Sequence, residues 1–298
     1  MLNALVNRSR PLDPSAKVLV LGHGFSGRCF GRLLEALGTP VISTRRQPAP
    51  GDPHLPFDSE TGSRPEPGAL ADVTHVLCTI PPTADGRDPV LTQLGANLRD
   101  LQPKWVGYLS TTGVYGDRQG GWVSEADPPA PGQERSRRRL ACEEAWLNSG
   151  LPVQILRLPG IYGPGRSVLD SLRSGRSRWI SKPDQVFCRI HVEDIAGACL
   201  HLIHRAAAGQ QPSIINVSDN MPAPSEDLLA FAAELLNCNL PPQESFETAA
   251  LSMSTMARSF WSENRRVSNQ LLCDRLGYTL LHPDYRSGLL DCLNQTDQ

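Results

Sequence analysis

One stretch constrains this chain more than any other. It runs Val18-Leu19-Val20-Leu21, then Gly22-His23-Gly24-Phe25-Ser26-Gly27, then apolar residues at Cys29, Phe30, Leu33, Leu34 and Leu37. The first run is short, apolar and partly β-branched, which suits a strand buried on both faces. The apolar spacing after the glycines is that of a one-sided helix, stopped by Gly38 and Pro40. A second buried strand follows at Val41-Ile42-Ser43-Thr44.

A Gly-x-Gly-x-x-Gly turn between a strand and a helix has a physical use. Gly22 allows the tight turn, Gly24 lets a pyrophosphate approach the backbone, and Gly27 lets helix and strand pack closely. The helix N-terminus, at Phe25 and Ser26, then offers unpaired N–H groups to phosphates. The plain alternative is a tight turn that holds no ligand. The end of the second strand bears on the cofactor. Thr44-Arg45-Arg46-Gln47 stands where NAD-binding folds usually carry an acid, and no acid occurs before Asp52. Two guanidiniums suit a 2′-phosphate, so NADP(H) is expected rather than NAD(H). The competing reading, two arginines on an exposed strand end, gains from composition: there are 26 arginines against three lysines, Lys17, Lys104 and Lys182. Thr79, Pro81, Ser110 and Pro159 complete the expected cofactor-facing set.

The alternation continues. Strands are expected at 76–80, 106–110, 153–158, 187–192 and 214–217, and helices at 134–149, 193–206 and 225–237. Pro-rich stretches at 48–67, 81–89 and 127–131 read as loops, and no internal repeat is visible. This order implies an α/β fold: a doubly wound, mainly parallel Rossmann-type sheet with a smaller C-terminal substrate lobe. The expected dinucleotide domain is 16–160, completed by 186–218, with 161–185 and 219–298 as the smaller lobe. The 298 residues suffice to bury roughly three quarters of the unfolded surface. A net charge of −2 argues against a nucleic-acid or membrane-surface binder. Eight cysteines stand singly, with no Cys-x-x-Cys, and residues 1–16 lack an apolar leader core. A cytoplasmic protein with reduced thiols is therefore expected. His201 and His204 supply only two ligands, so no metal is expected and both read as surface or packing residues.

Four further blocks carry a resemblance. They are Gly22–Gly27, Leu109-Ser110-Thr111-Thr112-Gly113-Val114-Tyr115-Gly116, Arg157-Leu158-Pro159-Gly160-Ile161-Tyr162-Gly163-Pro164-Gly165, and His191-Val192-Glu193-Asp194-Ile195-Ala196. In this order, from about Lys17 to Leu290, the chain resembles the extended and atypical short-chain dehydrogenase/reductases, the NAD-dependent epimerase/dehydratase-like superfamily. The resemblance implies that Thr111 holds the substrate's reacting oxygen, and that 157–165 passes near the nicotinamide. His191 reads as a structural residue anchoring its turn.

The chain also departs from the family. The family's general acid/base is a Tyr followed four residues later by Lys, one helical turn apart. Here the residues four before the three lysines are Asp13, Asp100 and Arg178, so no Tyr-x-x-x-Lys exists. Aligning Leu140–Glu144 with the family's helix puts Arg135 at the Tyr position and Arg139 at the Lys position. Guanidinium is a poor proton carrier at neutral pH. Residues 134–139 are then either a solvated, ion-paired helix face or, through Arg135 and Arg139, a bidentate anion site. Thr111 and Tyr115 are the candidate catalytic residues. Arg135, Arg139, Tyr162 and Arg166 are the candidate substrate-binding residues. Two functions stay open: an NADP(H)-dependent oxidoreductase or epimerase-like enzyme on a small, anionic or nucleotide-linked substrate, and a catalytically silent NADP(H)-binding regulatory or scaffold protein. The expected partner is a small molecule, with neither nucleic acid nor membrane, and the chain is expected as a monomer or homodimer.

Overall fold

The computed structural model describes residues 2–296. Its centre is one sheet of seven strands: β1 Val18–Leu21, β2 Val41–Arg45, β3 Leu55–Pro56, β4 His75–Cys78, β5 Trp105–Thr111, β6 Val153–Leu158 and β7 Ile214–Asn216. They lie in the order β7-β6-β5-β4-β1-β2-β3, and every pairing is parallel. The helices are α1 Asn3–Arg8, α2 Phe25–Ala36, α3 Pro89–Asp100, α4 Glu134–Leu147 and α5 Val168–Arg173. Then come α6 Val192–Ala207, α7 Ser225–Leu236, α8 Phe246–Ser252, α9 Thr255–Trp261 and α10 Tyr285–Thr296.

The apolar runs sort by the two-residue period of a strand. Val18 and Val20 of β1 join Phe30, Leu33 and Leu34 of α2 and Leu202 of α6 in one core. Leu19 and Leu21 face the other way, onto Val90, Leu94 and Leu98 of α3 and Trp146 of α4. Continuous apolar strands are required because both faces are covered. Asp88 joins two helices: its Oδ1 accepts the Val90 and Leu91 N–H groups at 2.9 Å each, capping α3, and its Oδ2 accepts Trp146 Nε1–H at 2.8 Å.

Strand order reverses between β1 and β4, which opens a crevice at their carboxyl ends. A second core of Tyr162, Leu169, Ala223, Ala232, Tyr285, Leu289 and Cys292 forms the lobe beside it. Two features depart from the sequence reading. Leu5 and Leu12 enter the main core, so the N-terminal residues are structural and include a helix that the sequence pattern did not show. Leu272, Leu276, Tyr278 and Leu280 also join the main core, although 219–298 was expected wholly in the smaller lobe. α3 starts at Pro89, the last residue of a stretch read as loop. No described helix is long and apolar enough to cross a membrane.

Candidate functional site

The glycine turn is built as its three roles require. Gly22 has φ +97°, and a Cβ there would lie 2.5 Å from Thr79 Oγ1. A Cβ on Gly27 would lie 2.2 Å from the Gly22 carbonyl oxygen, so α2 meets the turn only through glycine. A Cβ on Gly24 would meet nothing within 4 Å, which leaves open space at the N-cap of α2. Thr44 is fully buried and its Oγ1 accepts the Gly22 N–H at 3.0 Å. Thr79 donates its hydroxyl to the Gly22 carbonyl at 2.8 Å. Both threonines therefore brace the turn from its two flanking strands. Ser26 is buried, Phe25 lies beneath the Arg166 guanidinium at 5.5 Å, and Pro81 is exposed.

At the end of β2, Arg45 and Arg46 are exposed. The turn after them brings an acid back. Asp52 Oδ2 lies 3.4 Å from Arg45 Nη1, and Asp52 Oδ1 lies 3.3 Å from His54 Nε2. His54 Nδ1 pairs with Ser43 Oγ at 2.6 Å and its ring sits 4.0 Å from that of His23. Burial, then the charges of His54 and Arg45, push His23 down to about 4, so its imidazole is neutral near pH 7. Absence of acid in the sequence before Asp52 thus did not mean absence of acid near Arg45.

The crevice beyond the carboxyl end of β5 is a cavity of about 690 Å³. Ser110, Thr111, Pro159, Arg135, Arg139 and Arg166 all line it. Thr111 Oγ1 accepts the Gly113 N–H at 3.1 Å, while Ser110 donates its hydroxyl to Glu143. The arginines of 134–139 divide between two faces of α4. Arg137 and Arg138 pair with Glu134 at 2.8 and 3.2 Å on the outer face. Arg135 and Arg139 turn to the crevice, and neither has an ion pair among the described residues. The Arg135 guanidinium stands 4.1 Å from the Phe260 ring centre. Arg139 Nη1 donates to the Tyr108 hydroxyl and the Leu109 carbonyl, each at 3.0 Å.

Two expected residues lie elsewhere. Tyr115 is fully buried and does not line the crevice; its hydroxyl donates to Asn216 Oδ1 at 2.8 Å, and Arg157 lies 4.7 Å over its ring. Burial also raises its pKa, which suits packing rather than proton exchange. Tyr162 is buried in the smaller lobe's core, with its ring edge against His191 at 5.2 Å. Tyr115 ends a single helical turn after β5 and Tyr162 ends a short strand, 160–162, and at both places the side chain turns into a core. Among the described residues, no tyrosine, histidine or lysine lines the crevice.

Sequence reasoning missed the far wall. Phe260 and Trp261 at the end of α9, with Arg189, Glu263 and Arg265, close the crevice from distant parts of the chain. Arg189 donates to the carbonyls of Phe187 and Ala223 at 2.8 and 3.0 Å. Arg265 donates to Gly116 O and to Glu263 Oε2, both at 2.7 Å. No local pattern marks such residues. A group of buried His191, Glu193 and His282 with half-buried Asp291 was also unforeseen, its ligand-type atoms all within 4.8 Å of one another. His191 Nδ1 accepts the Glu193 N–H at 3.3 Å, as a helix cap does, which commits Nε2 of a neutral ring to carrying the proton. That role agrees with the structural reading of His191.

No family model matches the chain. Protein YeeZ of Escherichia coli K12 is 28% identical over 244 residues, covering 78% of each chain. A conserved protein of unknown function from Silicibacter pomeroyi DSS has a structure with TM-score 0.84 and 40% identity, covering 94% of this chain and 99% of that one. A candidate NAD-dependent epimerase/dehydratase of Methylobacillus flagellatus superposes with TM-score 0.71 at 27% identity, covering 95% of this chain and 99% of that one. The glycine turn at the reversal of strand order, the Thr-Thr-Gly-Val-Tyr-Gly block ending β5 and these likenesses lead to one assignment. They support an assignment to the extended and atypical short-chain dehydrogenase/reductase superfamily, for a chain that has no Tyr-x-x-x-Lys pair.

Proposed function

We propose that this chain binds NADP(H) along the Gly22–Gly27 turn. It holds a small anionic or nucleotide-linked substrate beside it, as an oxidoreductase or epimerase-like enzyme. The observation that carries this reading is the crevice wall, where Arg135 and Arg166 lie on aromatic rings with no carboxylate partner among the described residues, beside the Thr111 hydroxyl. Guanidiniums held over aromatic faces keep their forks free for a phosphate or carboxylate. The cofactor fit rests on the open space at Gly24 and the α2 N-terminus behind it. Arg45 and Arg46 would meet the 2′-phosphate. The nicotinamide dinucleotide, when bound, supplies hydride chemistry; Thr111 would orient the substrate's oxygen toward it. Fluorescence titration of NADPH against NADH tests the reading. NADPH should bind tighter by about tenfold to a few hundredfold, as charge-assisted bonds to the 2′-phosphate provide. Equal affinities would overturn it.

A second reading, a catalytically silent NADP(H)-binding protein, is favoured by one finding: Tyr115 is buried and no other tyrosine, histidine or lysine reaches the described crevice wall. NADPH binding without any turnover or solvent-hydrogen exchange across a panel of UDP-sugars would favour it over the enzyme.

A further inference from the structure

A second cavity lies outside the crevice, between the N-terminal segment, the last three turns of α6 and residues 277–279. Its volume is about 510 Å³, in the range of small-molecule sites. Its charged and titratable lining comprises Arg8, Arg10, Arg205, His201 and His204, together with Tyr278, and it includes no carboxylate. We propose that this cavity binds a small phosphorylated ligand, gripped by Arg8, Arg10 and Arg205 from two separate elements.

The partners of these residues carry the argument. Arg10 Nη2 donates to His204 Nδ1 at 3.1 Å, and His204 Nε2–H donates to the Arg10 carbonyl at 3.0 Å. His204 thus orients Arg10 from both its side chain and its backbone, with no acid at the guanidinium. His201 donates to the Leu276 carbonyl at 2.7 Å. The Arg8 guanidinium stands 5.9 Å from the Tyr278 ring centre, and the Tyr278 hydroxyl is spent on Asp194 at 2.9 Å. Asp194 itself does not line the cavity. Arg205 has its Nε buried without a partner. None of the three arginines has an ion pair among the described residues, whereas Arg87, Arg137, Arg157, Arg178 and Arg265 each pair with an acid.

One positive group near Ala207 would offset the carbonyl end of α6, which carries about half a negative charge. Arg205 serves that end, but Arg8 and Arg10 come from elsewhere and exceed it. Burial chiefly lowers the His201 pKa, the Leu276 carbonyl opposes that shift, and the Arg205 charge lowers it further. Three guanidiniums around one concavity match a phosphate's several oxygens through bidentate bonds. Leu5, Leu200 and the Tyr278 ring supply an apolar floor for the rest of the ligand. The site stands independently of the crevice reading.

The test uses inorganic pyrophosphate titrated calorimetrically into the whole chain and into two double variants. Arg8→Gln with Arg205→Gln should weaken binding at this site at least tenfold, while Arg135→Gln with Arg166→Gln, in the crevice, leaves it unchanged. Arg10→Gln, on an exposed side chain, should weaken it at least threefold with an unchanged thermal melt, which guards against misfolding of the double variant. Pyrophosphate that fails to bind saturably, or that binds equally well after the Arg8 and Arg205 changes, overturns the proposal.

Discussion

Arg139 holds strand β5 with one nitrogen, its Nη1 donating at 3.0 Å to both the Tyr108 hydroxyl and the Leu109 carbonyl. A guanidinium at the family's lysine position is thus partly a structural brace, while Arg135, four residues earlier, rests on Phe260. The two changes should separate. Arg139→Lys places its ammonium one bond short of the Nη1 position, so it cannot keep both bonds, and should lower stability by about 1 kcal/mol. Arg135→Gln should leave the thermal melt within a degree or two and weaken an anionic crevice ligand by about 1.5–3 kcal/mol, the size of a lost charge-assisted contact. Matching melts for the two variants would contradict this division.

If Arg45 meets a 2′-phosphate as proposed, Asp52 would compete for it, since its carboxylate lies 3.4 Å from that guanidinium. Asp52→Asn should therefore raise NADPH affinity by a few-fold and leave NADH affinity nearly unchanged, a pair open to water at its arginine end being worth about 0.2–1 kcal/mol. Arg45→Ala with Arg46→Ala should remove the NADPH preference. Parallel titrations of both cofactors against the three proteins decide it. A rise in NADH affinity alone in Asp52→Asn would oppose the assignment.

The glycines of the turn should respond differently. Gly24→Val should abolish dinucleotide binding with an unchanged melt, because its side chain enters open space where the pyrophosphate would lie. Gly27→Val should instead lower the melting temperature, because its Cβ falls 2.2 Å from the Gly22 carbonyl oxygen. Cofactor titration beside a thermal melt reads both effects.

This contrast shows what the sequence carried. The sheet, its two covered faces and the glycine turn were legible because they rest on local periodicity and spacing, as in Val18–Leu21 and Gly22–Gly27. Thr111, Arg135 and Arg139 came from motif register, and all three line the crevice. The same register failed for Tyr115 and Tyr162, because a motif gives position along the chain and not which way a side chain turns. Asp52 beside Arg45, Phe260 under Arg135, and Leu5 against α6 are contacts across loops or across the whole chain, for which no spacing rule exists.

The buried ion pair beneath the crevice offers a stability test. Glu143 accepts from Arg157 Nη2 at 2.7 Å and from Nε at 3.2 Å, with both side chains 2% exposed. Glu143→Gln leaves the Arg157 charge without its partner and should cost about 3–5 kcal/mol. Replacing both by methionine should cost distinctly less, since the pair's mutual attraction offsets a desolvation penalty that an apolar pair never incurs. Urea unfolding of the three proteins gives the comparison; equal losses in the single and double variants would contradict it.

The last prediction concerns acid. Burial pushes His191 down to about 3 and the His282 charge acts in the same direction, so the folded ring stays neutral where an unfolded one, at about 6.5, takes a proton. Its folded pKa is depressed, so the unfolded chain binds more protons between those values, and stability falls as pH falls through that window. One such histidine contributes a slope of at most about 1.4 kcal/mol per pH unit. His23 and His75, each pushed to about 4 chiefly by burial, act in the same sense. Asp219, pushed up to about 8 by burial, acts oppositely, costing stability as pH rises from its unfolded value of about 4. The net curve therefore mixes signs, and the difference between two proteins is the cleaner measure. His191→Asn keeps an acceptor for the Glu193 N–H at the start of α6 and removes the titration. Between pH 6.5 and 4 its urea midpoint should fall less steeply than that of the unchanged chain, by up to one proton's worth of slope. Parallel curves would show that His191 is protonated in the fold and that its burial does not set the acid limit.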